Sequence, residues 1–197
     1  MRRLVRVVLP AMLALGLSGC GINTVPAKEE AVKAAWAEVQ NQYQRRADLI
    51  PNLVATVEAF AKQEKDVLVE VTNARARATQ VTLSSEQLND PAAMRRFAEA
   101  QGALSQSLGR LLLVVERYPE LKSNQNFLAL QAQLEGTENR IAVARRDYNR
   151  AVQDYNTEIR TFPSIIAAKL IYGAQPKAPF EATTPGAETA PKVKFGA

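Results

Sequence analysis

Cys20 is the single thiol of this 197-residue chain, and no histidine accompanies it anywhere. Without an imidazole the chain lacks the ordinary general base, proton shuttle and zinc ligand. That excludes Ser-His-Asp and Cys-His enzymes and nearly all zinc enzymes. A lone Cys cannot close an internal disulfide. Acid-base chemistry is then left to carboxylates, and the most suggestive pair is Glu135 with Glu138. Three residues apart, they share one helix face, a spacing that solvated helices show routinely, so they read as surface charges. No Gly-rich phosphate loop, Cys/His metal spacing or nucleophile elbow occurs. The sequence is therefore read as having no catalytic residues, no cofactor and no metal.

The surroundings of Cys20 give its thiol a different task. Arg2, Arg3 and Arg6 lead into an apolar run over about residues 7–17, followed by small residues. This is the pattern of a secretory signal peptide. The run is about half of the ~20 residues a helix needs to cross a bilayer. Leu17-Ser18-Gly19-Cys20 resembles the bacterial lipobox, which implies a lipoprotein: acyl chains, palmitate among them, join the Cys20 thiol, and cleavage leaves Cys20 as the first residue. Gly21 follows rather than an Asp that would favour inner-membrane retention, so delivery to the outer membrane stays open. Loss of residues 1–19 removes three Arg and no acid from a formal net charge of +5. The mature chain is nearly neutral and so a poor candidate for nucleic-acid binding, which depends on clustered positive charge.

The elements that position the remaining polar residues are helices. From Val32 the positions Trp36, Val39, Tyr43, Arg46, Ile50, Leu53, Val57, Phe60, Glu64, Val67, Val71, Ala74 and Ala78 recur at alternating spacings of four and three. That repeat marks helices packed knobs into holes, as in coiled coils. Pro51 lies inside the run and deletes the hydrogen bond to the Ala47 carbonyl. The pattern predicts a first helix kinked or broken near Pro51, with Asp48 capping the second part. Asp90-Pro91 suits a cap and a first-turn proline. A second seam follows through Met94, Phe97, Gln101, Leu104, Leu108, Leu111, Val115 and Tyr118. After a short turn, PELKSN, a third runs Phe127, Leu130, Leu134, Thr137, Ile141, Ala144, Tyr148, Ala151, Tyr155, Glu158 and Phe162. Short links make these antiparallel neighbours. The expected fold is all-α, an elongated up-and-down bundle of three long helices, or about four helical segments.

Arg46 and Glu64 interrupt the first seam. Arg46 reads most simply as snorkelling to solvent or satisfying the carbonyl freed by Pro51. The sharper reading places it in a buried polar layer that fixes helix register. Its partners would then come from the third helix, where Asp147-Tyr148-Asn149 recurs one heptad later as Asp154-Tyr155-Asn156. The repeat sets both Tyr on the seam and builds a hydrogen-bonding ladder beside it. Beyond Pro163, SIIAAKLIY (164–172) forms a short amphipathic helix, whose length and single Lys169 favour packing on the bundle over contact with lipid. The chain divides into a signal peptide (1–19), acylated Cys20 with a short linker (20–27), a bundle (28–182) and a disordered tail (183–197).

Two long stretches, Ala35 to Ala76 and Leu108 to Pro163, resemble the LemA family of bacterial membrane-associated proteins. The RR-x-DLIPNLV core (Arg45 to Val54), the YPELKSNQNF turn and the RDYN…YN…FP run carry the likeness. The resemblance implies an all-α bundle of about four helical segments outside the cytoplasm and supplies no reaction. Many members resemble single-span proteins, whereas here a lipobox takes the place of the span. The functional expectation is a non-catalytic, lipid-anchored protein of the cell envelope facing the periplasmic or extracytoplasmic side. It would act as a scaffold toward an unknown protein partner or itself, and not toward nucleic acid. The alternatives are a ligand-binding or enzymatic module for cell-wall or lipid material, and a membrane-remodelling protein using residues 164–172.

Overall fold

The computed structural model describes residues 23–181; the expected signal peptide, acylated Cys20 and tail 183–197 lie outside them. Among the described residues all regular structure is helical: α1 (Thr24–Phe60), α2 (Lys65–Gln80), a 3-10 turn (Glu86–Asn89), α3 (Pro91–Val115), α4 (Pro119–Lys122), α5 (Gln125–Glu158) and α6 (Ser164–Leu170). None of these helices is long and apolar enough to cross a membrane. They belong to two compact units, one holding residues 23–41 and 141–179, the other 42–140 with 180–181.

In the second unit the seams close on one apolar cluster. It joins Ile50, Leu53 and Val57 of α1, Leu68, Val71, Ala74 and Ala78 of α2, Leu104, Leu108, Leu111 and Val115 of α3, and Phe127 and Leu134 of α5. Asp90 caps α3 as its type and position require, accepting a hydrogen bond from the Ala92 N–H at 2.8 Å ahead of Pro91. Asn124 does the same for α5, accepting from Asn126 and Phe127 N–H groups at 3.0 and 3.1 Å.

Several expectations are corrected here. Of the two expectations for Pro51, a kink or a break, the break is overturned: α1 runs through it as one helix to Phe60. The carbonyl it orphans is taken by another side chain, Arg75 of α2, whose Nε donates to the Ala47 oxygen at 2.7 Å. A proline inside a helix costs about 3 kcal/mol or more, and a hydrogen bond from a charged donor returns roughly 1.5–3. With no second segment beginning there, Asp48 caps nothing; it accepts from Gln44 Nε2 at 2.7 Å within α1. The chain instead breaks at 61–64 and folds back. Arg75 meets Ala47, Gln101 meets Ala78, and Arg110 meets Glu70, so α1, α2 and α3 are successively antiparallel. Three long helices running up, down, up are thus replaced in this unit by four, α2 being a separate helix. The seam shifts accordingly: Ala61 is buried and Phe60 is 40% exposed. The PELKSN turn contains the one-turn helix α4.

In the first unit α1 and α5 pair antiparallel. Thr24 meets Glu158, Lys28 meets Asp154, and the Trp36 ring lies 5.4 Å from that of Tyr148. The expected linker over 21–27 is already helical from Thr24, because Pro26 sits in the first turn, where its missing N–H has no partner to lose. Buried Val152 and Ile159 join the third seam at its end, and Phe162, expected there, is 81% exposed. α6 stops at Leu170. Gly173 follows at φ +56°, a left-handed turn natural to glycine, and Ala174 N–H reaches back to the Ala168 carbonyl at 2.9 Å.

Candidate functional site

Arg46 is a fully buried cation, 1% exposed. Helical spacing puts it on the α1 seam between Tyr43 and Ile50, where it meets α3 and α5 directly. Nη2 donates to Gln101 Oε1 at 2.7 Å and to the Gln101 carbonyl at 3.2 Å. Nη1 donates to Ser105 Oγ and to Glu138 Oε1, both at 2.8 Å. Gln101 in turn donates from Nε2 to the Ala78 carbonyl at 3.0 Å. One polar layer thereby links α1, α2, α3 and α5. Nε donates no hydrogen bond. The guanidinium carbon lies 5.0 Å from the Tyr43 ring centroid, a cation–π contact that offsets part of the burial cost.

The simple reading of Arg46 is therefore corrected: it neither reaches solvent nor takes the Ala47 carbonyl. Its carboxylate partner does come from α5, but it is Glu138, 45% exposed, and not a residue of the repeated triplets. Beside this layer a groove of about 570 Å³ has Leu53, Leu108, Leu112 and Leu134 among its lining, with Ser105, Gln131, Glu135, Glu138 and Asn139 at its polar positions. Glu64, at the start of α2, accepts from Arg117 at 3.0 Å and from the Tyr118 hydroxyl at 2.8 Å. That bond to Glu64 is the first cause of a Tyr118 phenol raised above the ordinary tyrosine range.

The triplets build a second cluster, in the first unit. Asn156 grips the backbone of Lys177 twice: Nδ2 donates to its carbonyl and Oδ1 accepts from its N–H, each at 2.9 Å. The Tyr148 hydroxyl donates to the Ala178 carbonyl at 2.9 Å. Burial pushes the Tyr148 phenol far above its ordinary range, so it stays a neutral donor. Tyr155 is raised first by burial, then by the charge of Glu29. Lys177, 6% exposed, pairs with Glu29 at 2.9 Å and lies 5.7 Å from the Tyr155 ring. Asp154 pairs with Lys28 at 3.2 Å. Asp147 is exposed and Asn149 half-buried. The ladder thus holds a non-helical segment, residues 174–179, along the helix pair.

Sequence reasoning missed Gln101, Ser105, Arg75 and Lys177. Gln101 carried a signal, being the one polar residue in the second seam. Glu158 carries a third arrangement: its Oε1 accepts from Thr24 Oγ1 and from Ser164 Oγ, both at 2.5 Å. These bonds, Ser164 first, hold the carboxyl below the usual glutamate range. No group of three or more His, Cys, Asp or Glu side chains gathers to hold a metal ion among the described residues.

The sequence model of the LemA family matches residues 35–195, a span that includes the Arg46 layer and both repeated triplets. Magnetosome protein MamQ 2 and magnetosome protein MamQ 1 of Paramagnetospirillum magneticum are each 29% identical over 157 residues, covering 72% of this chain and 58% of theirs. Magnetosome protein MamQ of Magnetospirillum gryphiswaldense is 26% identical over 150 residues, 68% of this chain and 55% of its own. The chain spans somewhat more than half the length of these curated relatives.

Proposed function

The chain belongs to the LemA family, and we propose that it is a non-catalytic, lipid-anchored protein of the cell envelope that works as a scaffold, presenting helix faces to a protein partner or to a second copy. Acyl chains on Cys20, reached through the signal-like segment before it, would hold the protein on the extracytoplasmic side, with the outer membrane open as its destination. The magnetosome relatives support a membrane setting.

One observation carries the non-catalytic reading. The buried Arg46 cation is committed to holding four helices, through Gln101, Ser105, Glu138 and, by way of Gln101, the Ala78 carbonyl. Outside that interior, α2 and α3 turn Val69 and Leu113 to solvent, 56% and 73% exposed. A photo-reactive residue placed at Val69 or at Leu113 in living cells should give a reproducible adduct with one protein, or with the chain itself. Absence of protein adducts at both positions under several growth conditions would sink the scaffold reading. The groove beside Glu138 favours one alternative, a ligand-binding module for cell-wall or lipid material, because its apolar floor and polar edge suit an amphipathic molecule.

A further inference from the structure

α6 packs through its small residues and leaves its large ones outside. Ser164, Ala167 and Ala168 are buried, whereas Ile166 and Leu170, one turn apart on a shared face, are 53% and 81% exposed. Phe162 just before the helix is 81% exposed, and Ile171 and Tyr172 just after it are 61% and 41% exposed. Exposed apolar residues scattered singly are ordinary; five large ones in one short segment mark a contact surface. Arg160 and Lys169, both exposed, give that segment its cations.

The N-terminal end of the same unit says what covers it. Thr24 and Ser164 donate to one oxygen of Glu158, so the first residue of α1 and the first residue of α6 meet at a single atom. Cys20 precedes Thr24 by four residues, at most ~14 Å of chain. Resting on the reading that acyl chains on Cys20 hold the protein to a bilayer, we infer that the segment from Phe162 to Tyr172 is a second membrane contact. Its apolar side chains sit at the boundary between headgroups and acyl chains, and Arg160 and Lys169 lie at the level of anionic headgroups. The acyl chains fix how far the unit is from the membrane, and the α6 segment fixes which way it faces.

The test places a photo-crosslinking residue at Leu170, and in a second chain at Phe162, of the full protein in living cells. Val143 serves as control: it is an exposed residue of the same unit, about 22 Å along α5 from Glu158 at ~1.5 Å per residue. The expected result is lipid adducts at Leu170 and Phe162 several-fold above those at Val143. The intact mass of the chain from the same membranes reports separately whether Cys20 is acylated. Acylation with no excess of lipid adducts, or with protein adducts in their place, overturns the α6 contact and spares the anchor. Lipid adducts on a chain whose Cys20 is free remove the anchor and leave the contact standing. A chain that shows neither loses both.

Discussion

At the scale of single residues, the decisive fact about Arg46 is that its charge is spent on holding helices. Truncating a large buried side chain leaves a cavity, and here also strands the buried Gln101, at a joint cost of about 3–5 kcal/mol. Arg46→Ala should therefore lower the unfolding free energy by about that amount, while Arg46→Met, which refills the volume, costs roughly half as much or less. Urea unfolding followed by circular dichroism distinguishes the two. Glu158 gives a pH prediction. Its folded-state value is depressed by the Ser164 and Thr24 hydroxyls. Its contribution is therefore complete above the ordinary glutamate range and disappears as pH falls through the lower folded value. Amide exchange at the start of α1 and in α6, corrected for intrinsic rate, should rise across that acid window. Glu158→Gln should show the faster exchange already at neutral pH and lose the pH dependence. Equal exchange in both proteins at neutral pH would mean that the carboxylate does not hold the two starts together.

At the scale of elements, much of the helical pattern was legible and one break was not. The second seam predicted Met94, Phe97, Leu104, Leu108, Leu111 and Val115 as core, and all are buried. Packing period is a property of the chain itself, so it survives translation into structure. The break at 61–64 has neither proline nor glycine to announce it, and its stabilising contacts, Glu64 to Arg117 and Tyr118, come from another part of the chain. Pro51 pointed to the wrong place because its defect is mended by Arg75, distant in sequence. The candidate site divides in the same way. Arg46 stood out as a charge on an apolar seam, but Glu138 looked like a surface acid, and a Pro- and Ala-rich stretch gave no hint that Lys177 would be buried. The mended helix yields a double-mutant prediction. Arg75→Ala should cost about 1–3 kcal/mol where Pro51 is present, by stranding the Ala47 carbonyl. With Pro51→Ala the restored N–H serves that carbonyl, and the cost of Arg75→Ala should fall to a few tenths. Additive losses would show that Arg75 acts through some other contact.

At the scale of the whole molecule, an interior that consumes polar chemistry contrasts with an exterior that carries the proposed contacts. Among the described residues Arg46, Tyr148, Asp154 and Asn156, all singled out in sequence, join helix to helix or helix to the 174–179 segment, and large apolar residues stand outside on α2, α3 and around α6. A protein built this way should tolerate a change of interior charge that preserves packing, and should fail when an outer face is altered. Glu138 is the sharpest discriminator, since it is both a partner of Arg46 and a polar group of the groove. The direct measurement is the yield of the protein adduct formed in cells from a photo-reactive residue at Leu113, compared among the otherwise unaltered chain, Glu138→Gln and Val69→Asp. The scaffold account predicts the same adduct in the first two and its loss in the third. Loss of the adduct in Glu138→Gln at an unchanged unfolding midpoint, or no protein adduct in any of the three, would contradict it.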